Sequence, residues 1–360
     1  GGGGGSAGSG GFGGGGGSAG SGGFGGGGGS NGIGGTGATA GGVTAGGDSA
    51  ALGGAVFLGS PNGQPTLTLT GNCSTSLGST SSNLGGGFAG GDDFFLYSGT
   101  TLNFAPSASE TILISRSIID DSVQSIPTSS TWQAGSGSGA SLQVTGAGTV
   151  ILNGTNSYIG TTTVTSGTLI LNGTLYAGGA GSSSQVTVGS GAILKGTGTI
   201  NAPTSVSGIL SPDNSNGILN HNAPLTLPGT LKIAIAATGS SSQISSTSTV
   251  DVTGATIQIA PDPGTYTVGA QYTLLTSAGL TGTPTLSMPA QFLGQLSFPN
   301  NSIVLTLSQV PVVPSSGGCS CSGTGNDVGN LPAMLLLLIS ALVLRLLRRL
   351  KNSGAAHKQV

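Results

Sequence analysis

The chain has 360 residues, 73 of them Gly, with 36% hydrophobic and only 5% charged side chains. So few bases leave no positive surface to neutralise phosphates, which excludes nucleic-acid binding of that kind, while the β-branched clusters within the hydrophobic share exclude disorder throughout. Only Arg116, Lys195 and Lys232 are basic before residue 331; against ten acids they leave −7 for residues 1–330, whereas the remainder carries +5.

Residues 1–45 read as a low-complexity arm. GGGGGSAGSGGF occurs unchanged at 1–12 and 13–24, and Phe12 and Phe24 are its sparse apolar punctuation, so a flexible glycine-rich segment is expected. A first residue of Gly reads as a truncated or processed N-terminus, so the lack of a signal peptide does not count against export. Asp48, in a single AGGDSA, reads as a turn, because calcium-binding Gly/Asp repeats need serial copies to complete a coordination shell.

Residues 46–308 change character. Short alternating runs appear at 66–70 (TLTLT), 141–145 (SLQVT), 149–152 (TVIL), 161–165 (TTTVT), 168–171 (TLIL) and 185–188 (QVTV). Each is closed by Gly, Asn, Ser or Pro, the pattern of strands punctuated by tight turns, and no helical period competes with it. A phrase of the form G-[TA]-x-[ILK]-[LI] begins at Gly148, Gly167, Gly191, Gly229 and Gly254, with a weaker copy at Gly208. The spacing is irregular but near twenty, one solenoid coil each time. The expected fold is all-β: a right-handed parallel β-helix with inward Val, Ile and Leu and outward Thr and Ser. Asn-Gly at 153–154 and 172–173 should end equivalent strands, where positive φ is tolerated and stacked Asn amides bond coil to coil.

The stretch GAGTVILNGTNSYIGTTTVTSGTLILNG, residues 146–173, resembles the autotransporter-associated β-strand repeat of exported bacterial passenger proteins. Asn156, Tyr158, Gly160, Thr162, Val164, Gly167 and Leu169 fall on the consensus positions of that repeat. Residues 52–57 and 94–122 look like the coils that precede it, and 207–219, 229–235 and 272–282 resemble the C-terminal portion of a passenger. The resemblance implies an exported, surface-displayed β-helix. One departure stands out: there is no room for the membrane β-barrel with which an autotransporter ends, so the tail is expected to serve as the membrane device instead.

That tail has two parts. Residues 309–330 form a linker with PVVPSSGG at 311–318 and the pair Cys319 and Cys321; residues 331–351 form an apolar run closed by Arg345, Arg348, Arg349 and Lys351. Fourteen apolar or small residues span only ~21 Å as a helix, but continuing through Leu350 gives ~30 Å, with Arg345 snorkelling to the headgroups. Nine leucines with Ile339 and Val343 contribute roughly −5 kcal/mol to insertion against about +3 for one arginine, so a single transmembrane helix is expected, its basic end cytoplasmic. A buried core helix is the competing reading, and it lacks an amphipathic helical partner. The small-residue patch, apolar helix and arginine cluster together resemble bacterial C-terminal sorting signals of the CTERM type, which implies processing near Cys319 and Cys321 by a membrane protease. Without the resemblance, those cysteines read as an incidental thiol pair or an intermolecular disulfide; a zinc site would need more Cys or His nearby.

Parallel β-helices also carry polysaccharide hydrolases and lyases, so the acidic doublets Asp92-Asp93 and Asp120-Asp121 compete as catalytic carboxylates, with Arg116 as their companion. Turn-capping aspartates are the alternative. His221 has only Asp213 as a nearby acid, and His357 lies beyond the apolar run. Glycine spacings of dinucleotide type occur by composition alone, and none opens a helix after a strand. The sequence therefore reads as a structural or adhesive protein of the cell envelope, not an enzyme, with no cofactor or metal. Its expected partners are the membrane, the export and sorting machinery, and surface glycans or host and cell-surface proteins, bound by many weak contacts.

Overall fold

The computed structural model describes residues 51–52, 56–58, 65–75, 89–122 and 138–311. The chain winds as a parallel β-solenoid in which successive coils add neighbouring strands to the same sheets. Sheet 1 holds nine strands, from Thr66–Leu69 to Gly279–Thr281, and sheet 2 holds nine, from Cys73–Ser74 to Thr285–Ser287. The third side begins as Val56–Leu58, Phe94–Leu96 and Ile118–Asp120 and resumes as a seven-stranded sheet 3 from Thr174–Leu175. Residues 155–157 join these two parts: the Ser157 amide donates to the Ile118 carbonyl at 3.0 Å, and Thr155 forms a parallel bridge with Thr174.

The alternation in sequence becomes columns in space, because strand side chains point to opposite faces with period two. In sheet 2 one inward column runs Cys73, Ile112, Val150, Leu169, Leu194, Leu210, Leu231, Ile257 and Leu286, each in register with the next. In sheet 1 another runs Phe104, Val144, Val164, Val188 and Val206. Apart from the end positions Cys73 and Leu286 these side chains are buried, and at ~25 cal/mol per Å² the columns supply the main stabilisation of each coil against its neighbours.

The glycine phrases mark the coils as expected. Gly148, Gly167, Gly191, Gly208, Gly229 and Gly254 each open or shortly precede one strand of sheet 2: Thr149–Leu152, Gly167–Leu171, Ala192–Lys195, Ile209–Ser211, Thr230–Ile235 and Thr256–Pro261. The Asn-Gly steps need a correction. Asn172 Nδ2 does donate to Asn153 Oδ1 at 3.0 Å, coil to coil, yet none of these four residues has positive φ. Glycine is needed there for close approach instead: a Cβ on Gly154 would strike the Arg116 carbonyl, one on Gly173 the Gly154 carbonyl, and one on Gly198 the Gly173 carbonyl.

A second correction concerns the C-terminal end. Every strand-to-strand pairing between residues 141 and 261 is parallel, with one isolated antiparallel bridge at Ile235 and Ser241, but Gln271–Thr276 pairs antiparallel with Ser302–Gln309, which pairs antiparallel with Leu293–Ser297. Between these last two strands lies a single 3₁₀ turn, Pro299–Asn301. The described solenoid thus ends with an antiparallel hairpin added to the edge of sheet 3, not with a further parallel coil. Among the described residues no helix is long and apolar enough to cross a membrane; the expected membrane span at 331–351 and most of the linker at 309–330 lie outside them, as does the arm at 1–45.

Candidate functional site: a polar spine inside the repeat coil

The seven consensus residues turn inward or form the corners of one coil. Asn156, Tyr158, Gly160, Thr162, Val164 and Leu169 are buried and Gly167 is half-buried. Asn156 ties three coils together: its Oδ1 accepts the Ile118 amide at 3.0 Å, while its Nδ2 donates to the carbonyls of Gly154 at 3.0 Å and Thr174 at 3.1 Å. A carboxamide is the side chain that both donates twice and accepts at such a junction. Gly160 leaves no room for a Cβ beside the Ala140 carbonyl, and Gly167, at φ +68°, turns the chain from sheet 1 into sheet 2.

Tyr158 and Thr162 belong to a buried hydroxyl relay completed by Tyr176. Tyr176 donates to the Gly160 carbonyl at 2.9 Å, so it accepts from Thr162 at 2.8 Å, and Thr162 in turn accepts from Tyr158 at 2.6 Å. Every hydroxyl donates once and none is stranded. The two rings meet at 5.3 Å between centroids, and burial pushes both phenols above their ordinary range. The relay therefore stays protonated and neutral, which suits a structural joint and not a proton-transfer site.

The acidic doublets do not share one open groove. Asp92 is partly exposed and pairs with Arg116 at 3.6 Å, whereas Asp93, Asp120 and Asp121 are buried. Asp93 Oδ2 accepts the Thr75 hydroxyl and the Arg116 amide, the latter at 2.7 Å. Asp120 Oδ2 accepts the amides of Ala140 at 3.0 Å and Ile159 at 2.8 Å, and its Oδ1 the Ser122 amide at 3.1 Å. Asp121 Oδ1 accepts both the amide and the hydroxyl of Ser98, at 2.7 and 2.6 Å. These carboxylates cap backbone at the corners of the third side, Asp93 where the chain enters it and Asp120 and Asp121 where the chain leaves it. Burial, with the neighbouring Asp120 charge, lifts Asp121 to about 6 against the opposing Ser98 hydrogen bonds.

His221 is also interior, in the column Leu175, Ile200, His221 and Ser246. Its Nδ1 lies 2.7 Å from the Ala223 carbonyl and must carry hydrogen, leaving Nε2 to accept from the Thr204 hydroxyl at 2.8 Å. Burial holds its pKa down at about 4. Asp213 is not its partner; it pairs with Lys195 at 3.7 Å. Among the described residues no group of three or more His, Cys, Asp or Glu is placed to hold a metal ion. Cys319, Cys321, Arg345, Arg348, Arg349, Asp48 and His357 lie outside the described residues.

The sequence reading did not single out Tyr176 or the Thr204–His221 pair, whereas backbone capping by Asp120 is the alternative it offers for the acidic doublets. The expectation that Thr faces outward fails at Thr162 and Thr204, which are buried in inward positions otherwise held by aliphatics, as is His221.

The outward face of sheet 1 is polar in all nine coils. One register column reads Thr68, Asn103, Gln143, Thr163, Thr187, Ser205, Thr226, Asp251 and Thr281, a rank with a spacing of ~4.8 Å between coils in which Asp251 is the one charge.

The fold and this interior define a parallel β-solenoid whose motif residues encode the coil itself. The family model described as passenger-associated-transport-repeat matches residues 142–171, two successive strands of each of sheets 1 and 2 with the Asn-Tyr-Thr spine between them. The chain thus carries a repeat of the autotransporter-passenger type; no curated protein matches it.

Proposed function

We propose that the chain is an exported bacterial surface protein, anchored in the membrane by residues 331–351, whose solenoid has a structural or adhesive role and no catalytic one. The observation that carries the reading is the passenger-type repeat within a solenoid whose sheet 1 presents an unbroken polar rank over nine coils. Such a rank offers serial hydroxyl and amide groups to surface glycans or to host and cell-surface proteins, and affinity would accumulate from repeated weak contacts. The sorting-signal reading of Cys319, Cys321 and the arginine cluster belongs to the same proposal, with export and sorting machinery as partners.

Protease shaving of intact cells tests display: the solenoid should be cut or shed from outside, and a body that is cleaved only after lysis rejects the proposal. Deleting residues 331–351 should move the body from the membrane fraction into the medium or periplasm; unchanged membrane association rejects the anchor.

A further inference from the structure

The only Asp-Pro step in the sequence joins Asp262 to Pro263, directly after the sheet 2 strand Thr256–Pro261. The acids met so far are held by backbone amides, hydroxyls, Arg116 or Lys195. Glu110 accepts the Ser107 amide at 2.7 Å, and Asp251 accepts the amide and hydroxyl of Thr253 at 2.9 and 2.6 Å. Among the described acids, the half-buried Asp262 alone has a carboxyl with neither hydrogen bond nor ion pair. Its backbone, by contrast, is firmly held. The Asp262 amide donates to the Ile235 carbonyl at 2.8 Å, and a Cβ on Gly264 would lie 2.6 Å from the Ala237 Cβ, so the corner is seated tightly on the coil before it. The Asp262 carbonyl oxygen lies 2.8 Å from the hydroxyl of the buried Tyr266, which also lies 2.7 Å from the Ile235 carbonyl. That ring is fixed edge-on against Phe292, at 5.0 Å between centroids.

One hydroxyl proton serves two carbonyls at Tyr266. The bond to Asp262 is therefore only partly made at rest and becomes whole when negative charge builds on that oxygen, the condition for accelerating a reaction. Burial pushes the Tyr266 phenol up to about 12 and that of nearby Tyr272 upward as well, so both stay neutral donors. We infer that Asp262–Pro263 is a self-cleavage site, with the Asp262 carboxyl as nucleophile and the Tyr266 hydroxyl as oxyanion donor. An Asp side-chain oxygen reaches its own carbonyl carbon by closing a five-membered ring, so no second residue has to supply the attacking group. The new C–O bond drives the carbonyl electrons onto the oxygen facing Tyr266; their return breaks the C–N bond, and the proton of the carboxyl leaves on the Pro263 nitrogen, a basic secondary amine once released. Water then opens the cyclic anhydride, restoring the Asp262 side chain and giving a new C-terminal carboxyl. The sum is one peptide bond hydrolysed by one water, a single-turnover change of the chain itself that is independent of surface display. The two pieces remain paired through the strands at 271–276, 279–281 and 285–287, so the product is a nicked solenoid whose terminal hairpin can leave only by unzipping.

Mass spectrometry tests this on the purified full-length chain, held in mild detergent with protease inhibitors at mildly acidic pH, where the attacking carboxyl carries the proton that the amine must take. Fragments should end at Asp262 and begin at Pro263, and their rate of formation should not depend on protein concentration. They should form at least about tenfold faster in the folded chain than in urea at the same pH, since only the fold places the Tyr266 donor. Asp262→Ala should abolish them. Tyr266→Phe should slow them at least about tenfold in the folded chain and leave the rate in urea unchanged, while hydrogen exchange at the Asp262 amide reads whether the corner is kept. The comparison of folded and unfolded wild-type chains stands even where that variant loosens. Equal rates in the folded and unfolded chains, cleavage at another bond, the same fragments from Asp262→Ala, or an undiminished rate in Tyr266→Phe overturns the inference.

Discussion

Most polar side chains inside the solenoid are held by a defined partner; among the described buried atoms the Thr100 hydroxyl and one carboxylate oxygen each of Asp93 and Asp121 are exceptions. Replacing Thr162 by Val keeps the shape but leaves the Tyr158 hydroxyl without its acceptor and Tyr176 without its donor; the expected cost is about 1–3 kcal/mol, read from the denaturant midpoint. His221 and Asp121 give opposite pH responses. Between pH ~4 and ~6.5 the unfolded state binds more protons at His221, so this residue lowers stability as pH falls. Between pH ~3.8 and ~6 the folded state binds more at Asp121, so this carboxyl raises stability as pH falls. Each shift corresponds to ~3 kcal/mol at most. The two largely offset each other, and single variants should separate them. Asp121→Asn should steepen the loss of stability from pH 6.5 to 4, and His221→Gln should reverse its sign; melts at a series of pH values read both slopes, and parallel slopes in the two variants contradict the assignment.

At the scale of the element, the turn between sheets is fixed by backbone contact more than by propensity. Gly173→Ala should destabilise by several kcal/mol, because its methyl meets the Gly154 carbonyl and the coils must separate to admit it. Gly191→Ala, whose Cβ would find only the Thr165 carbonyl at 3.9 Å, should be neutral or gain a few tenths of a kcal/mol from the unfolded chain. Equal effects in thermal melts would refute close approach as the reason for these glycines. Asn156→Ala should cost more than an average core hydrogen bond, since it strands the Ile118 amide and removes the side-chain donor from the carbonyls of Gly154 and Thr174, which keep only their backbone partners. Neighbouring coils should loosen with it, visible as faster hydrogen exchange at residues 118 and 174.

For the whole molecule, stability is close to a sum of coil-to-coil interfaces, so the last coil needs a cap. The hairpin at 293–309 supplies it by covering the sheet 3 end of the core, where Leu275 and Tyr272 pair with Ile303 and Leu305. Truncation after Ser287 should therefore yield an aggregating body, detected by light scattering, even though every parallel coil remains. Much of this architecture was legible in the residues. Alternation and the recurring glycine phrase located the strands of sheet 2 and the coil length, since period two and steric stops act locally. The stacked Asn153–Asn172 pair followed from the same repeat. What the local signals could not reach were partners separated by a coil or more. Asp120 lies thirty-nine residues before Ile159, so no window of one coil contains both ends of that bond. The sequence by itself determined an all-β repeating chain with aliphatics on one side of each strand, because side-chain alternation is a property of the strand alone. Only the tertiary structure decided that the buried acids cap backbone and that the terminal hairpin runs antiparallel, because those outcomes depend on which coils stack and where stacking stops.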